Sequence, residues 1–226
     1  MKKTFLATTA FLSALYISCD KGDDEVNKAP SAVTIEVAEE DLGNSINFTW
    51  KAATDSNGDK IIYDFYANTE IVGMGLTKPG YNWLFSEHKD TKFPISFKVT
   101  AKDGKGGTSE SNIIERQDPV IGKWQLEQYI TDGVDDTTDC DRQSILELKA
   151  DGTYVVLYKY EPSSGTICDE ETFTGTWENK GNDKYSFLSA EENEASESTI
   201  TFEEGKMVVF FVSHEGTDKD TWARIN

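Results

Sequence analysis

Apolar and polar residues alternate along much of this 226-residue chain. Side chains of a β-strand point to opposite faces in turn, so short alternating runs bounded by Gly, Asp and Asn predict half-buried strands. In the first half these runs are 32–37, 45–50, 60–66, 94–101 and 108–114. Roughly seven short strands in about 90 residues, with no long helical pattern between them, indicate a β-sandwich over residues 28–117.

The second half contains a longer series of extended runs joined by glycine-bearing turns. The runs are 123–130, 144–149, 154–160, 171–177, 184–188, 198–202, 207–212 and 220–225. Asp151-Gly152 and Glu204-Gly205 are turn pairs typical of β-hairpins. An antiparallel meander of about eight strands closes naturally into a barrel, which removes exposed sheet edges. The sequence therefore predicts an all-β protein whose residues 119–226 form an up-and-down barrel.

Strand parity predicts which residues face the barrel interior. They are Trp124, Leu126, Gln128, Ile130, Leu146, Leu148, Tyr154, Val156 and Tyr158. A barrel of this size either fills with its own side chains or holds one small ligand. Gln128, Tyr154 and Tyr158 are the candidates for contacting a ligand, because a polar group on an inward side chain could orient it. The alternative is that they are core residues whose polar tips reach the rim.

Composition excludes one class of partner. The formal charge is -19, so no basic field exists to bind a nucleic-acid backbone. Hydrophobic residues make up 37 % of the chain, which is enough for a packed core despite the charge. No polybasic patch or amphipathic helix is present to hold a membrane surface.

The N-terminus has the pattern of a secretory signal: Lys2 and Lys3, an apolar run over 5–17, and a small residue, Ser18. The segment Leu15-Tyr16-Ile17-Ser18-Cys19 resembles the lipobox of bacterial lipoproteins, although Tyr16 departs from the usual smaller or aliphatic residue. The resemblance implies that residues 1–18 are a signal peptide and that Cys19 is acylated, for example by palmitate. An ordinary secretory signal with an incidental Cys is the alternative.

An acidic tether, residues 19–27, follows. Its segment Asp20-Lys21-Gly22-Asp23-Asp24-Glu25 resembles the export signal of certain Gram-negative surface lipoproteins. That resemblance implies a location on the outer face of the bacterial outer membrane. The acyl chains on Cys19 would then be the only attachment to the membrane.

Export into an oxidising compartment gives the two remaining cysteines a simple role. Cys140 and Cys168 are expected to form a disulfide, which would stabilise the fold by about 3 to 4 kcal/mol. A thiol nucleophile is the alternative, but it needs an activating base, and neither of the two histidines, His88 and His214, lies near a cysteine in sequence.

Two segments of the first half carry a family resemblance. They are 50–66, which begins at a Trp and contains a D-x-x-G-D turn, and 97–112. Both resemble fibronectin type III-like modules of bacterial surface proteins, and the resemblance implies a spacer domain. Phe97 stands where the family often has Tyr, so the hydrogen bond of a tyrosine corner cannot form there.

Asp55, Asn57 and Asp59 alternate as oxygen ligands do in calcium loops, and Asp103 from another turn could join them. The EF-hand pattern fails, since no bidentate Glu follows and Gly58 falls at the wrong position. Asp, Asn and Gly are favoured in tight turns for backbone reasons alone. The turn interpretation is therefore preferred, with a calcium site as the alternative and no other cofactor expected.

The two ends of the second half resemble the lipocalin signature. Gly122-Lys-Trp124 matches the G-x-W on the first strand, and Trp222-Ala-Arg224 supplies an arginine from the last strand. The resemblance implies that Trp124 packs near the barrel base under Arg224, which joins the first strand to the last. Trp124 and Arg224 are accordingly interpreted as closure residues and not as ligand-binding residues.

The motifs of common enzyme classes are missing from the sequence: no nucleophile elbow, zinc helix, P-loop or dinucleotide fingerprint occurs. We therefore expect a non-catalytic binding module whose barrel holds a small apolar ligand. The alternative is a structural or accessory envelope protein with a filled barrel that contacts another surface protein.

Overall fold

A computed structural model describes residues 26–162, 167–191, 194–212 and 217–226. These residues form an all-β protein with two short 3-10 helices, which confirms the predicted fold class. The strands of the first half are β1 (Ile35–Asp41), β2 (Ser45–Trp50), β3 (Ile62–Ala67), β4 (Glu70–Leu76), β5 (Gly80–Leu84), β6 (Ile95–Lys102), β7 (Thr108–Glu110) and β8 (Ile114–Arg116).

The first half is a two-sheet sandwich, as predicted. One sheet has the order β1-β2-β5, and the other has the order β4-β3-β6-β7 with β8 also paired to β6. Aromatic side chains fill the space between the sheets, with Phe65, Trp83 and Phe97 fully buried. The strands predicted from the alternating pattern did not include β4 or β5. β4 contains Gly73 and Gly75, which interrupt its apolar alternation, and β5 is short.

The second half is a closed antiparallel barrel. Its strands are β9 (Gly122–Thr131), β11 (Ile145–Leu148), β12 (Thr153–Tyr160), β13 (Asp169–Gly181), β14 (Lys184–Ser189), β15 (Ser196–Glu203), β16 (Lys206–Val212) and β17 (Thr217–Ile225), with β10 (Val134–Asp135) as a short extension beside β9. Each barrel strand pairs with the next, and β17 pairs with β9. The predicted up-and-down barrel is confirmed.

The two ends of the barrel have different surroundings. The end that carries the short hairpin turns β11-β12, β13-β14 and β15-β16, here called the base, contacts the sandwich. Asn182 in one of these turns donates from Nδ2 to Oδ1 of Asp90 at 2.6 Å, and Leu42 packs against the barrel core. The opposite end, here called the mouth, carries the remaining connections and is directed away from these contacts.

The connection between the two halves is fixed by a buried carboxyl group. Asp118 accepts hydrogen bonds from the Tyr185 hydroxyl at 3.0 Å, from Nδ2 of Asn179 at 2.6 Å and from the backbone N–H of Val120 at 3.1 Å. Burial raises the pKa of Asp118 although these donors act in the opposite direction. The carboxyl group therefore joins the linker to β13 and β14.

Candidate ligand-binding site

A cavity of about 360 Å³ lies inside the barrel towards the mouth. Most of its surface is apolar, and its polar groups are few. The described residues that line it are Leu146, Tyr154, Val156, Tyr158, Phe173, Phe187, Ser189, Glu191, Ser196, Ile200, Val209, Phe211 and Trp222. Its volume lies at the lower end of the range of small-molecule sites, and its mostly apolar lining is typical of them.

Pairing of β11 with β12 places the lining residues as strand parity predicted. Leu146 is opposite Val156, and Leu148 is opposite Tyr154. Tyr154 is 8 % exposed and packs edge-on against Phe187, with ring centroids 5.7 Å apart. Tyr158, nearer the mouth, is 36 % exposed. The structure therefore brings both tyrosines to the cavity, one deep and one near the rim.

Gln128 lies outside the cavity, contrary to the parity prediction. Along β9, Leu126 pairs with Trp222 while Gln128 pairs with Thr221, so Glu127 is an extra residue in the strand. Such a bulge shifts the alternation by one residue. Gln128 consequently donates from Nε2 to Oδ2 of Asp135 at 2.9 Å, on the outer side of the barrel.

The sequence interpretation missed two acidic residues on the inner face of β17. Asp218 and Asp220 have the same parity as Trp222, which lines the cavity. Asp220 is only 3 % exposed, and its Oδ1 accepts no hydrogen bond from the described residues. Burial raises the pKa of Asp220 to about 7, although the indole N–H of Trp222 acts in the opposite direction, and the charge of Asp218 adds to the increase. The alternation of Asp218, Asp220 and Trp222 along the sequence is the pattern that could have placed both acidic residues on the inner face.

At the base, the first and last strands of the barrel, β9 and β17, meet at Trp124 and Arg224. Arg224 pairs with Trp124 across β17 and β9, and its Cζ lies 4.8 Å from the centre of the indole ring. Nη2 of Arg224 also donates to the carbonyls of Pro119 at 2.8 Å and Ile121 at 2.7 Å. Trp124 is fully buried, and its Nε1 donates to the carbonyl of Val120 at 2.7 Å.

Cys140 and Cys168 form the expected disulfide, with Cα atoms 5.5 Å apart. The bond joins the loop before β11 to the segment that enters β13. Both segments lie at the mouth, so the disulfide ties two of the connections that border the cavity entrance. A thiol nucleophile at either position is incompatible with this bond.

The structure separates the predicted calcium residues into two groups. Carboxylate oxygens of Asp55, Asp59 and Asp103 lie within 4.8 Å of one another. Asn57 does not join them, since its Oδ1 accepts from the backbone N–H of Lys28 at 2.9 Å. Oδ1 of Asp55 accepts from the backbone N–H groups of Asn57 at 2.8 Å and Asp59 at 3.2 Å, and Lys105 Nζ lies 2.6 Å from Oδ1 of Asp59. These contacts form an Asx turn, but Oδ2 of Asp55 and Oδ2 of Asp59 are buried and accept no hydrogen bond from the described residues. The turn and the calcium site therefore both stay predictions.

Cys19 and the rest of the predicted signal peptide lie outside the described residues. Within the part of the chain that the structure describes, there is no helix of the length and apolar character required to cross a membrane.

Residues 120–209 match a family model described as a lipocalin-like domain. The C-terminal barrel is lipocalin-like. The match begins just before β9 and ends within β16, so it covers most of the strands that line the cavity. Closure of the lipocalin-like barrel by β17, and the contact of Arg224 with Trp124, are seen in the structure beyond the matched residues. No curated protein matches the chain.

Proposed function

We propose that the chain is an exported lipoprotein, anchored through Cys19, whose lipocalin-like barrel binds a small and largely apolar ligand without catalysing a reaction. The observation that carries the binding part of the proposal is the cavity of about 360 Å³ towards the mouth of the barrel. The alternative, an accessory protein with a filled barrel, would require side chains to occupy this space.

The lining supports an apolar ligand. Val156, Ile200 and Val209 are each at least nine-tenths buried and face the cavity together with aromatic rings of β12, β13 and β14. Removing an apolar surface from water contributes about 25 cal/mol per Å². A ligand that filled this space would therefore gain most of its binding free energy from burial, and the few polar groups would set its orientation.

Nile red, a neutral apolar dye, tests whether the cavity binds ligands. We expect the full-length protein to bind Nile red with increased fluorescence, and Val156→Phe to weaken binding by about tenfold or more because the larger ring enters the cavity. Val155→Phe is the matched control, since adjacent strand residues point to opposite faces. Equal dye affinities in two folded variants, checked by circular dichroism, would contradict binding in the cavity.

Cys19→Ala tests the anchor separately. In the bacterial host, we expect this variant to lose incorporation of an alkyne-labelled fatty acid and to appear in the soluble fraction. A variant with both Cys140→Ala and Cys168→Ala is the control, and it should keep the fatty acid because it retains Cys19. Persistent labelling of the Cys19→Ala protein would exclude lipidation at this residue.

We further propose that the sandwich is a fibronectin type III-like spacer that holds the barrel away from the outer face of the outer membrane. Its three-stranded and five-stranded antiparallel sheets support the comparison. Protease added to intact cells should then digest the barrel. A barrel that resists protease on intact cells and is digested after lysis would place it on the inner side of the membrane.

A further inference from the structure

The charged groups around the barrel cavity are all acidic among the residues that the structure describes. Glu191 lies at the mouth, and Asp218 and Asp220 lie on the inner face of β17. The described lining includes no lysine or arginine. An apolar cavity that needed only to bury hydrocarbon would gain nothing from carboxyl groups, because enclosing them is costly.

Cross-strand pairing places the two aspartates beside the cavity. Asp220 is opposite Val209, and Asp218 is opposite Phe211 on β16. Val209 and Phe211 both line the cavity. Because directly paired residues of antiparallel strands project to the same face, the carboxyl groups of Asp218 and Asp220 project to the interior of the barrel.

Both carboxyl groups have an oxygen without a donor. Oδ1 of Asp218 and Oδ1 of Asp220 are each buried, and neither accepts a hydrogen bond from the described residues. The indole N–H of Trp222 acts on the Asp220 carboxyl group but also completes no hydrogen bond there. The whole Asp220 residue is only 3 % exposed. A buried acceptor that lacks a partner destabilises the folded protein, so these oxygens are suited to a donor that comes from outside the chain.

Tyr158 connects the carboxyl group of Asp220 to the candidate site. Burial and the charge of Asp220 together raise the pKa of the Tyr158 phenol. Tyr158 itself lines the cavity. Trp222, the next inward residue of β17 after Asp220, also lines the cavity.

We propose that the ligand of the barrel carries a positively charged amine on its apolar body, and that Asp220 binds this amine with the assistance of Asp218. The proposal rests on the proposed binding function and specifies the ligand class. The ammonium group would donate hydrogen bonds to the two unpartnered oxygens while the hydrocarbon fills the cavity. The net charge of -19 also favours the approach of a cation.

Displacement of Nile red by decylamine and decanol tests the proposal, because the two compounds share an alkyl chain and differ in charge. At about pH 8 an alkyl amine is protonated. We expect decylamine to displace the dye from the full-length protein at a concentration about tenfold or more below that of decanol. Asp220→Asn should abolish the preference, whereas Asp136→Asn, an exposed acid near the mouth, should retain it.

The outcomes separate this proposal from the general binding function. If decanol displaces the dye and decylamine is no better, the barrel binds ligands but the amine proposal is wrong. An equal preference in wild type and a folded Asp220→Asn protein would assign the effect to surface charge and overturn the role of Asp220. If neither compound nor the dye binds, the binding function itself fails. The comparison within the wild-type protein does not depend on the folding of any variant.

Discussion

At the scale of single residues, Asp220 combines a charged side chain with an apolar environment. It is 3 % exposed and faces Asp218 and Trp222 on its own strand, Val209 on β16 and Tyr129 on β9, with Tyr158 of β12 close by. The indole N–H of Trp222 lowers its pKa, but only in part. None of these neighbours is a cation. Burial therefore dominates and raises the pKa of Asp220 to about 7.

The Asp220→Asn substitution should change how the free energy of unfolding depends on pH. The unfolded chain loses this proton near the ordinary value of 3.8, whereas the folded protein keeps it until about pH 7. Wild-type stability therefore falls between these pH values, and the loss is complete above the folded pKa. We expect the variant to be more stable by up to about 4 kcal/mol at pH 8 and to match wild type near pH 4.

Urea unfolding at a series of pH values measures this difference. Asp118 also has a raised pKa, but it is present in both proteins, so its contribution cancels in the comparison. Asp136→Asn provides the control for a change of net charge. A stability difference between wild type and Asp220→Asn that stays constant from pH 4 to pH 8 would contradict a raised pKa at Asp220.

At the scale of elements, the pairing of β9 with β17 determines both closure and the composition of the cavity. Trp124 and Arg224 hold the two strands together at the base, and the bulge at Glu127 changes the parity of β9 towards the mouth. Tyr129 consequently packs against the barrel core, and Gln128 is outside. Because of this one extra residue, the phenol of Tyr129 lies on the inner face where unbroken alternation would place the amide of Gln128.

Trp124→Ala should destabilise the barrel by about 3 to 5 kcal/mol, because the indole is fully buried and its removal leaves a cavity. The contact with Arg224 and the hydrogen bond to Val120 are lost at the same time. Lys123→Ala is the matched control, since its side chain lies on the outer face and is 52 % exposed. Chemical denaturation measures both changes. Similar small losses in the two variants would mean that Trp124 does not support closure.

At the scale of the whole molecule, the base of the barrel is docked on the sandwich. Lys89 and Asp183 form an ion pair across the junction, and the backbone N–H of Asn182 donates to the carbonyl of Lys89 at 3.1 Å. Gly43 lies so close to the ring of Phe202 that a Cβ atom on Gly43 would be 2.0 Å from Cδ2. Close packing at this point depends on the absence of a side chain.

Gly43→Ala should therefore be more harmful than an ordinary substitution of a turn glycine. Gly43 and Gly58 both have positive φ angles, 72° and 78°, but a Cβ at Gly58 meets nothing within 4 Å. We expect Gly58→Ala to cost about 1 kcal/mol in backbone strain and Gly43→Ala to cost about 1 to 3 kcal/mol more, because the Phe202 ring must shift. Denaturant unfolding of both variants gives the difference. Equal losses would show that the junction accommodates the added methyl group.

Much of the fold follows from local sequence. The barrel runs from 123–130 to 220–225 coincide closely with β9 and β11–β17, because strand alternation and glycine turns act over a few residues. Tyr154 and Tyr158 were placed correctly beside the cavity for the same reason. Gln128 was not, since a bulge arises from pairing with another strand and leaves no mark in the periodicity of β9 itself.

Sequence alone predicts the all-β class, the sandwich followed by the barrel, and the pairing of Cys140 with Cys168, because strand periodicity, turn chemistry and cysteine number are local or compositional properties. Three features became visible only in the folded protein: the barrel keeps a cavity, Asp218 and Asp220 lie on the inner face of β17 beside it, and the base contacts the sandwich. Those features depend on how side chains from strands distant in sequence share one interior, and packing across a closed sheet is a property of all its strands together.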